Sequence, residues 1–316
     1  MANKEQIMSY IDAMKEASSL ITRENPDYLV VPMLGSIPFI DAMAIVDRDF
    51  DPTNVIYMPA SSRINNISHI IKEWYGNFLE DVVNSPNHFP TILGIDEVVS
   101  GNSLVRCVKN IDVATQNYRK LLQQDLIKRI SSHDDEECLK AIDDLDFLTD
   151  SKESVELTNI RNRFGDGSYR KDKSLVINDS KYLRESVKKS LSEKLVYRSI
   201  GIEDSKAKNN RGKQYSSLRS EGRILPVEVE MILTMDDPRL CPVSYEMAKG
   251  VNSSDYDIFT PRVKNDLNVT EEYVNFLSNL ARYVGVNPSQ VSITTVGNME
   301  RMLASNKYLE DSNNSH

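Results

Sequence analysis

Three short apolar runs constrain this chain more than anything else in it. They are Tyr28-Leu29-Val30-Val31 between Pro26 and Pro32, Val55-Ile56-Tyr57-Met58, and Thr91-Ile92-Leu93-Gly94-Ile95 after Pro90. Strands buried on both faces read as continuous apolar runs, and the segments between these are long enough for crossovers. The expected fold is therefore α/β, a parallel sheet flanked by helices.

The rest of the chain fills in around that sheet. Ile7, Met8, Ile11, Met14, Ala17 and Ile21 recur at helical intervals until Asn25-Pro26 stops them, which predicts an N-terminal helix over residues 1–24. From Ser103 to Ile130 there is no Pro or Gly, and Leu104, Val108, Ile111, Leu121, Leu122 and Ile127 predict a long helix. The acidic stretch 134–157 continues as helix, and the turn Phe164-Gly165-Asp166-Gly167 closes it. Leu175-Val176-Ile177 and Leu195 to Ile202 read as further strands, the polar span 203–223 as a mobile loop, and Ile224 to Leu233 as a strand with one wet face. Helices are expected near 271–284 and 298–304, before a polar tail over 310–316. The expected layout is a core over 25–202 carrying a large helical insertion at about 105–170, followed by an α+β extension over 224–309.

The formal charge of −9 is concentrated, because residues 132–157 hold ten Asp or Glu against Lys140 and Lys152. The remainder is nearly neutral, so general attraction to nucleic acid is not expected and any basic site must be local. Cys107, Cys138 and Cys241 are odd in number and widely spaced, which supports neither a disulfide framework nor a zinc knuckle. His69, His88, His133 and His316 form no metal-ligand spacing. No stretch approaches the roughly 18 apolar residues of a membrane span, and the opening residues lack the order of a secretory signal, so a cytoplasmic protein is expected.

The chemistry concentrates at Ile95-Asp96-Glu97-Val98-Val99-Ser100-Gly101-Asn102-Ser103. A buried strand here ends in two acids and runs through a small-residue turn into a helix. Such a turn leaves backbone N–H groups free to surround a phosphate, Gly101 allows close approach, and the helix N-terminus favours negative charge. Acids beside it can accept hydrogen bonds from sugar hydroxyls or hold a divalent cation through oxygen. The ligand this implies is a phosphate joined to a polyol. No Gly-Lys-Ser/Thr follows, as a Walker loop requires, and the Gly-x-Gly-x-x-Gly spacing of a dinucleotide site is absent.

This stretch resembles the signature of type I phosphoribosyltransferases, in which an apolar strand leads to two acids, an apolar pair, a small residue and then Thr-Gly-x-Thr. The loop is one residue shorter between the acids and the glycine. With Ser100 to Ser103 held fixed, Asp96 falls on the family's second acid, Ile95 on the first, and Glu97 one place beyond. Val30-Val31-Pro32-Met33-Leu34-Gly35-Ser36-Ile37-Pro38 is similar to the family's pyrophosphate-binding loop, and Ser61-Ser62-Arg63 follows the second run where family members often carry a basic residue. Residues 64–90 stand where these enzymes keep a flexible active-site loop. The resemblance covers about residues 25–110.

It implies a Rossmann-like core that binds 5-phosphoribosyl diphosphate with magnesium and transfers phosphoribose to a nucleobase or other nucleophile, releasing pyrophosphate. In that reading Leu34, Gly35 and Ser36 hold pyrophosphate with Arg63. Val99, Ser100, Gly101, Asn102 and Ser103 anchor the 5-phosphate, while Asp96 and Glu97 face the ribose and, through the ligand, the metal. The acceptor is chosen by a hood from outside the core, with residues 224–246 and the N-terminal helix as candidates. The resemblance also implies a homodimer. Two other function classes fit the same residues: a sensor of phosphoribosyl diphosphate without turnover, and an effector whose recruited fold acts with a protein or nucleic-acid partner.

Overall fold

The computed structural model describes residues 3–32, 36–58, 60, 68–82, 90–132, 135–148, 151–166, 168, 173–193, 197–233, 243–249, 256–263 and 271–288. The first helix, α1 (Lys4–Glu24), starts at a reciprocal cap. Asn3 Oδ1 accepts from the Gln6 amide and Gln6 Oε1 from the Asn3 amide, each at 2.9 Å. It ends where Asn25 turns left-handed with φ 45°.

The three apolar runs become β1 (Tyr28–Pro32), β2 (Val55–Met58) and β3 (Ile92–Val98). They join β4 (Tyr197–Asp204) and β5 (Ile224–Val229) in a sheet of order β2-β1-β3-β4-β5, all parallel. Between the strands lie α2 (Ser36–Val46), α3 (Ser68–Val82), α4 (Asn102–Ile130), α5 (Asp135–Leu148), α6 (Ser151–Gly165), α7 (Lys173–Glu193) and α8 (Lys213–Ser220). An antiparallel pair, β6 (Val243–Lys249) with β7 (Tyr256–Val263), and helix α9 (Glu271–Val284) follow. No helix among the described residues is long and apolar enough to cross a membrane.

The chain divides into two compact units. Unit 1 comprises residues 1–78, 91–113 and 197–316, and unit 2 comprises 79–90 and 114–196. In unit 1 the parallel sheet is covered on both faces. On one face α1 packs against β4, β5 and α2, and α9 packs on α2 through a hydrogen bond from the Tyr273 hydroxyl to the buried Asp41 carboxylate. The other face meets α3, the first turns of α4, and α8. Trp74, Tyr75 and Phe78 on α3 form a ring cluster there that reaches Tyr28 of β1 and Tyr197 of β4. Unit 2 is helical, and its core draws Leu126, Ile130, Cys138, Ala141, Ile142, Leu145, Leu157, Ile160, Leu183, Val187 and Leu191 from four helices. Arg163 grips the Asp179 carboxylate with two nitrogens, at 2.7 and 3.0 Å, and ties α6 to α7.

Several expectations need correction. Leu175-Val176-Ile177 lies inside α7, and Ile177 points to solvent there; a three-residue apolar run does not distinguish strand from helix, and the polar residues after it continue at helical spacing. Residues 68–82 of the expected active-site loop are helix α3, because Ile71, Trp74, Tyr75, Phe78 and Leu79 form one buried face. The expected mobile loop 203–223 instead holds the end of β4, a 3-10 turn over Ser205–Asn210 and helix α8, anchored by buried Tyr215. Helix 298–304 and the tail 310–316 lie outside the described residues.

Two glycines give opposite expectations. A Cβ on Gly94 in β3 would overlap the Tyr197 hydroxyl, whereas one on Gly76 in α3 meets nothing within 4 Å. Gly94→Ala should therefore cost about 1–3 kcal/mol through overpacking. Gly76→Ala should add about 0.5–1 kcal/mol through lost unfolded-state freedom. Urea midpoints of the two variants check both signs.

Candidate functional site

In an open parallel sheet the carboxyl ends of the strands face a crevice at the point where successive connections leave in opposite directions. Here β1 connects outward to β2 and β3 connects the other way to β4, so that point lies between β1 and β3. The two turns singled out in the sequence follow these two strands.

After β1, Leu34 and Gly35 lie outside the described residues, as does Arg63 after β2. Ser36 is described. It opens α2, is fully buried, and its hydroxyl has no hydrogen-bond partner among the described residues. A buried hydroxyl left unpaired costs about 1–3 kcal/mol, a cost that an anion at this turn would relieve. The first turn of α2 carries no acid to satisfy its amides.

After β3, Ser100 and Asn102 form a local turn in which the Asn102 amide reaches the Ser100 hydroxyl at 3.4 Å. Gly101 between them has φ 76° and is buried, while Val99, Ser100 and Ser103 are half-buried and Asn102 is exposed. The positive φ demands glycine, and so does the space, because a Cβ would overlap the Tyr215 ring. The first turn of α4 is also free of acids.

The two acids of the motif separate. Residues alternate across a strand, so Asp96 and Glu97 point to opposite faces. Asp96 lies on the α4 face, half-buried, and hydrogen-bonds Ser103. Loss of solvent, reinforced by the Glu97 charge and partly offset by the Ser103 bond, pushes its pKa from 3.8 up to about 8. Asp96 thus carries a proton at neutral pH. Beside it, burial also raises the Cys107 thiol and the Tyr197 hydroxyl. Glu97 is buried on the α1 face, where the Tyr10 hydroxyl donates to it at 2.8 Å. The structure therefore brings Asp96 together with Ser103 and the turn, and places Glu97 on the far side of the sheet.

Sequence reading missed a third acid. Glu203 near the end of β4 pairs in register with Val98 and is fully buried. Its carboxylate accepts from the Tyr215 hydroxyl at 2.8 Å and faces Arg211 at 2.7 Å and Arg219 at 3.2 Å. The one available signal was Tyr215, the only ring in an otherwise polar run. Among the described residues no cluster of three or more His, Cys, Asp or Glu is placed to hold a metal ion.

The Asp96 environment fixes a pH dependence. An acid whose pKa rises on folding keeps its proton in the native chain after the unfolded chain has released it, so its contribution favours the fold below about pH 4 and erodes as pH climbs to about 8. Asp96→Asn removes that titration. Its melting temperature should exceed that of the parent by a margin that grows from pH 4 to pH 8 and then levels off, at about 2–4 °C per kcal/mol relieved. Thermal melts of both proteins across this range measure the margin.

No family model matches this chain, and no curated protein or solved structure matches it.

Proposed function

We propose that the chain binds a 5-phosphorylated ribose carrying pyrophosphate, 5-phosphoribosyl diphosphate, at the carboxyl edge of β1 and β3. The observation that carries this reading is the joint placement of the buried Ser36 hydroxyl at the start of α2, unpaired among the described residues, and the Gly101 turn at the start of α4, one after each strand of the switch point. Two acid-free helix N-termini suit a ligand with two separated anionic ends.

Each described residue then has a task. Ser36 donates to the pyrophosphate end, and Leu34, Gly35 and Arg63 belong to the same end by the resemblance. Ser100 to Ser103 hold the 5-phosphate, so that remote binding energy orients the sugar. Asp96 sits nearest that turn and faces the ribose hydroxyls. A single carboxylate suits magnesium, which commonly binds through one or two carboxylates and the phosphates of its ligand. Asp96 would be that carboxylate, and the metal would neutralise charge on the leaving pyrophosphate. Transfer to a nucleobase or other nucleophile is the reaction this site would support.

One observation favours a second reading. Glu97, the other acid of the motif, is already engaged by Tyr10 and faces away from Ser103. A site with one working acid fits a sensor that binds the ligand without turning it over.

Since Asp96 is protonated at neutral pH, coordination to magnesium must displace its proton. Titrating magnesium and phosphoribosyl diphosphate into the protein at pH 7 should release close to one proton, read by calorimetry in buffers of different ionisation enthalpy. Asp96→Asn should abolish the release. Incubation with a nucleobase panel then separates the readings: pyrophosphate release marks a transferase, and binding with no release marks a sensor. Absence of binding would overturn both.

A further inference from the structure

The Ser100–Ser103 turn does not hold its shape alone. Gly101 lies against the Tyr215 ring, which a Cβ there would overlap, and the same side chain covers Gly201 of β4, where a Cβ would come within 2.5 Å of the Tyr215 hydroxyl oxygen. Two glycines, one in the turn and one in the neighbouring strand, thus leave room for one side chain. The Gly212 amide, at the start of α8, donates to the Ser100 carbonyl at 3.4 Å. Tyr215, Val98, Leu104, Val105 and Ile224 form one apolar cluster that brackets the turn on both sides.

The position of Tyr215 is itself fixed by charge. Its hydroxyl donates to Glu203, and Glu203 is held by Arg211, which also donates to the Asp204 carbonyl at 2.8 Å. The side chains of Arg211 and Glu203 are both buried, and in that setting a carboxylate with two guanidiniums and a phenol has little freedom to move. The chain of contacts runs without a break from Arg211 through Glu203 and Tyr215 to Gly101.

We infer that Tyr215 is a positioning residue for the turn: the Tyr215–Glu203–Arg211 cluster fixes the Gly101 backbone in its left-handed conformation and thereby sets the affinity of the turn for a phosphate monoester. This rests on the reading of the turn as the 5-phosphate anchor. It adds that a segment contributed by β4 and α8, with no ligand-touching role of its own, controls one end of the ligand and leaves the pyrophosphate end at Ser36 unaffected.

The test uses the full chain, with ribose 5-phosphate and inorganic pyrophosphate as separate probes in magnesium. Tyr215→Ala should weaken ribose 5-phosphate binding at least about tenfold while pyrophosphate affinity stays within about twofold, since misplacing a binding group by a fraction of an ångström loses orientation. Tyr215→Phe keeps the ring and loses the bond to Glu203, and should fall between the two. Amide hydrogen exchange at residues 99–105 of the unliganded protein should quicken in the order parent, Phe, Ala. Equal loss of both probes would mean a general structural role and overturn the inference, as would unchanged exchange in a folded variant. If Tyr215→Ala does not fold, the same two readouts on Tyr215→Phe decide. A parent protein that binds neither probe, with exchange in the expected order, would overturn the ligand reading and the affinity part of the inference while the positioning of the turn stands.

Discussion

Burial of β3 on both faces governs the rest of unit 1. With two strands on each side and helices above and below, every side chain from Ile92 to Val98 must fit a packed layer or find a polar partner. Apolar residues meet this at four positions and Gly94 makes room for Tyr197. The two acids meet it by opposite means. Glu97 takes a hydrogen bond from a helix on one face, and Asp96 keeps its proton on the other. A motif that reads in the sequence as a pair of equivalent carboxylates is, in the fold, one engaged acid and one neutral acid.

The same constraint extends to β4. Glu203 is as deeply buried as any apolar residue of the sheet, and it is tolerated because two arginines and a tyrosine converge on it. Those partners come from the span between β4 and β5, and their demand for fixed geometry orders that span into a 3-10 turn and a helix.

The sequence was most legible where a single physical effect dominated. The apolar runs located β1, β2 and β3, and the uninterrupted stretch after Gly101 located α4, because two-sided burial and helical spacing leave unmistakable patterns. Legibility failed where effects competed. Leu175-Val176-Ile177 has strand-like composition, but helical packing of Leu183, Val187 and Leu191 overrides it. Residues 203–223 look too polar to fold, yet Arg211 and Arg219 pair with Glu203 inside the span, while Lys206, Lys208 and Arg223 pair with Glu230, Glu228 and Asp112 outside it. Helix α3 has a readable buried face in Ile71, Trp74, Tyr75 and Phe78, in an interval where the resemblance implies a loop. At the site itself, spacing located both turns. Which face each acid takes depends on strand register, and which groups neutralise Glu203 depends on pairing across more than one element; neither is local in sequence.

Unit 2 interrupts unit 1 in the chain, since residues 114–196 fall between β3 and β4. During synthesis on a ribosome the helical unit therefore emerges complete before β4 and β5 exist, and β3 must wait with one edge unpaired until they arrive. Local helical contacts form faster than distant parallel pairings, so the order of assembly is helices first and sheet last. The ring that braces the Gly101 turn arrives on α8, after β4 and just before β5, so the turn can take its final form only after four of the five strands have left the exit tunnel.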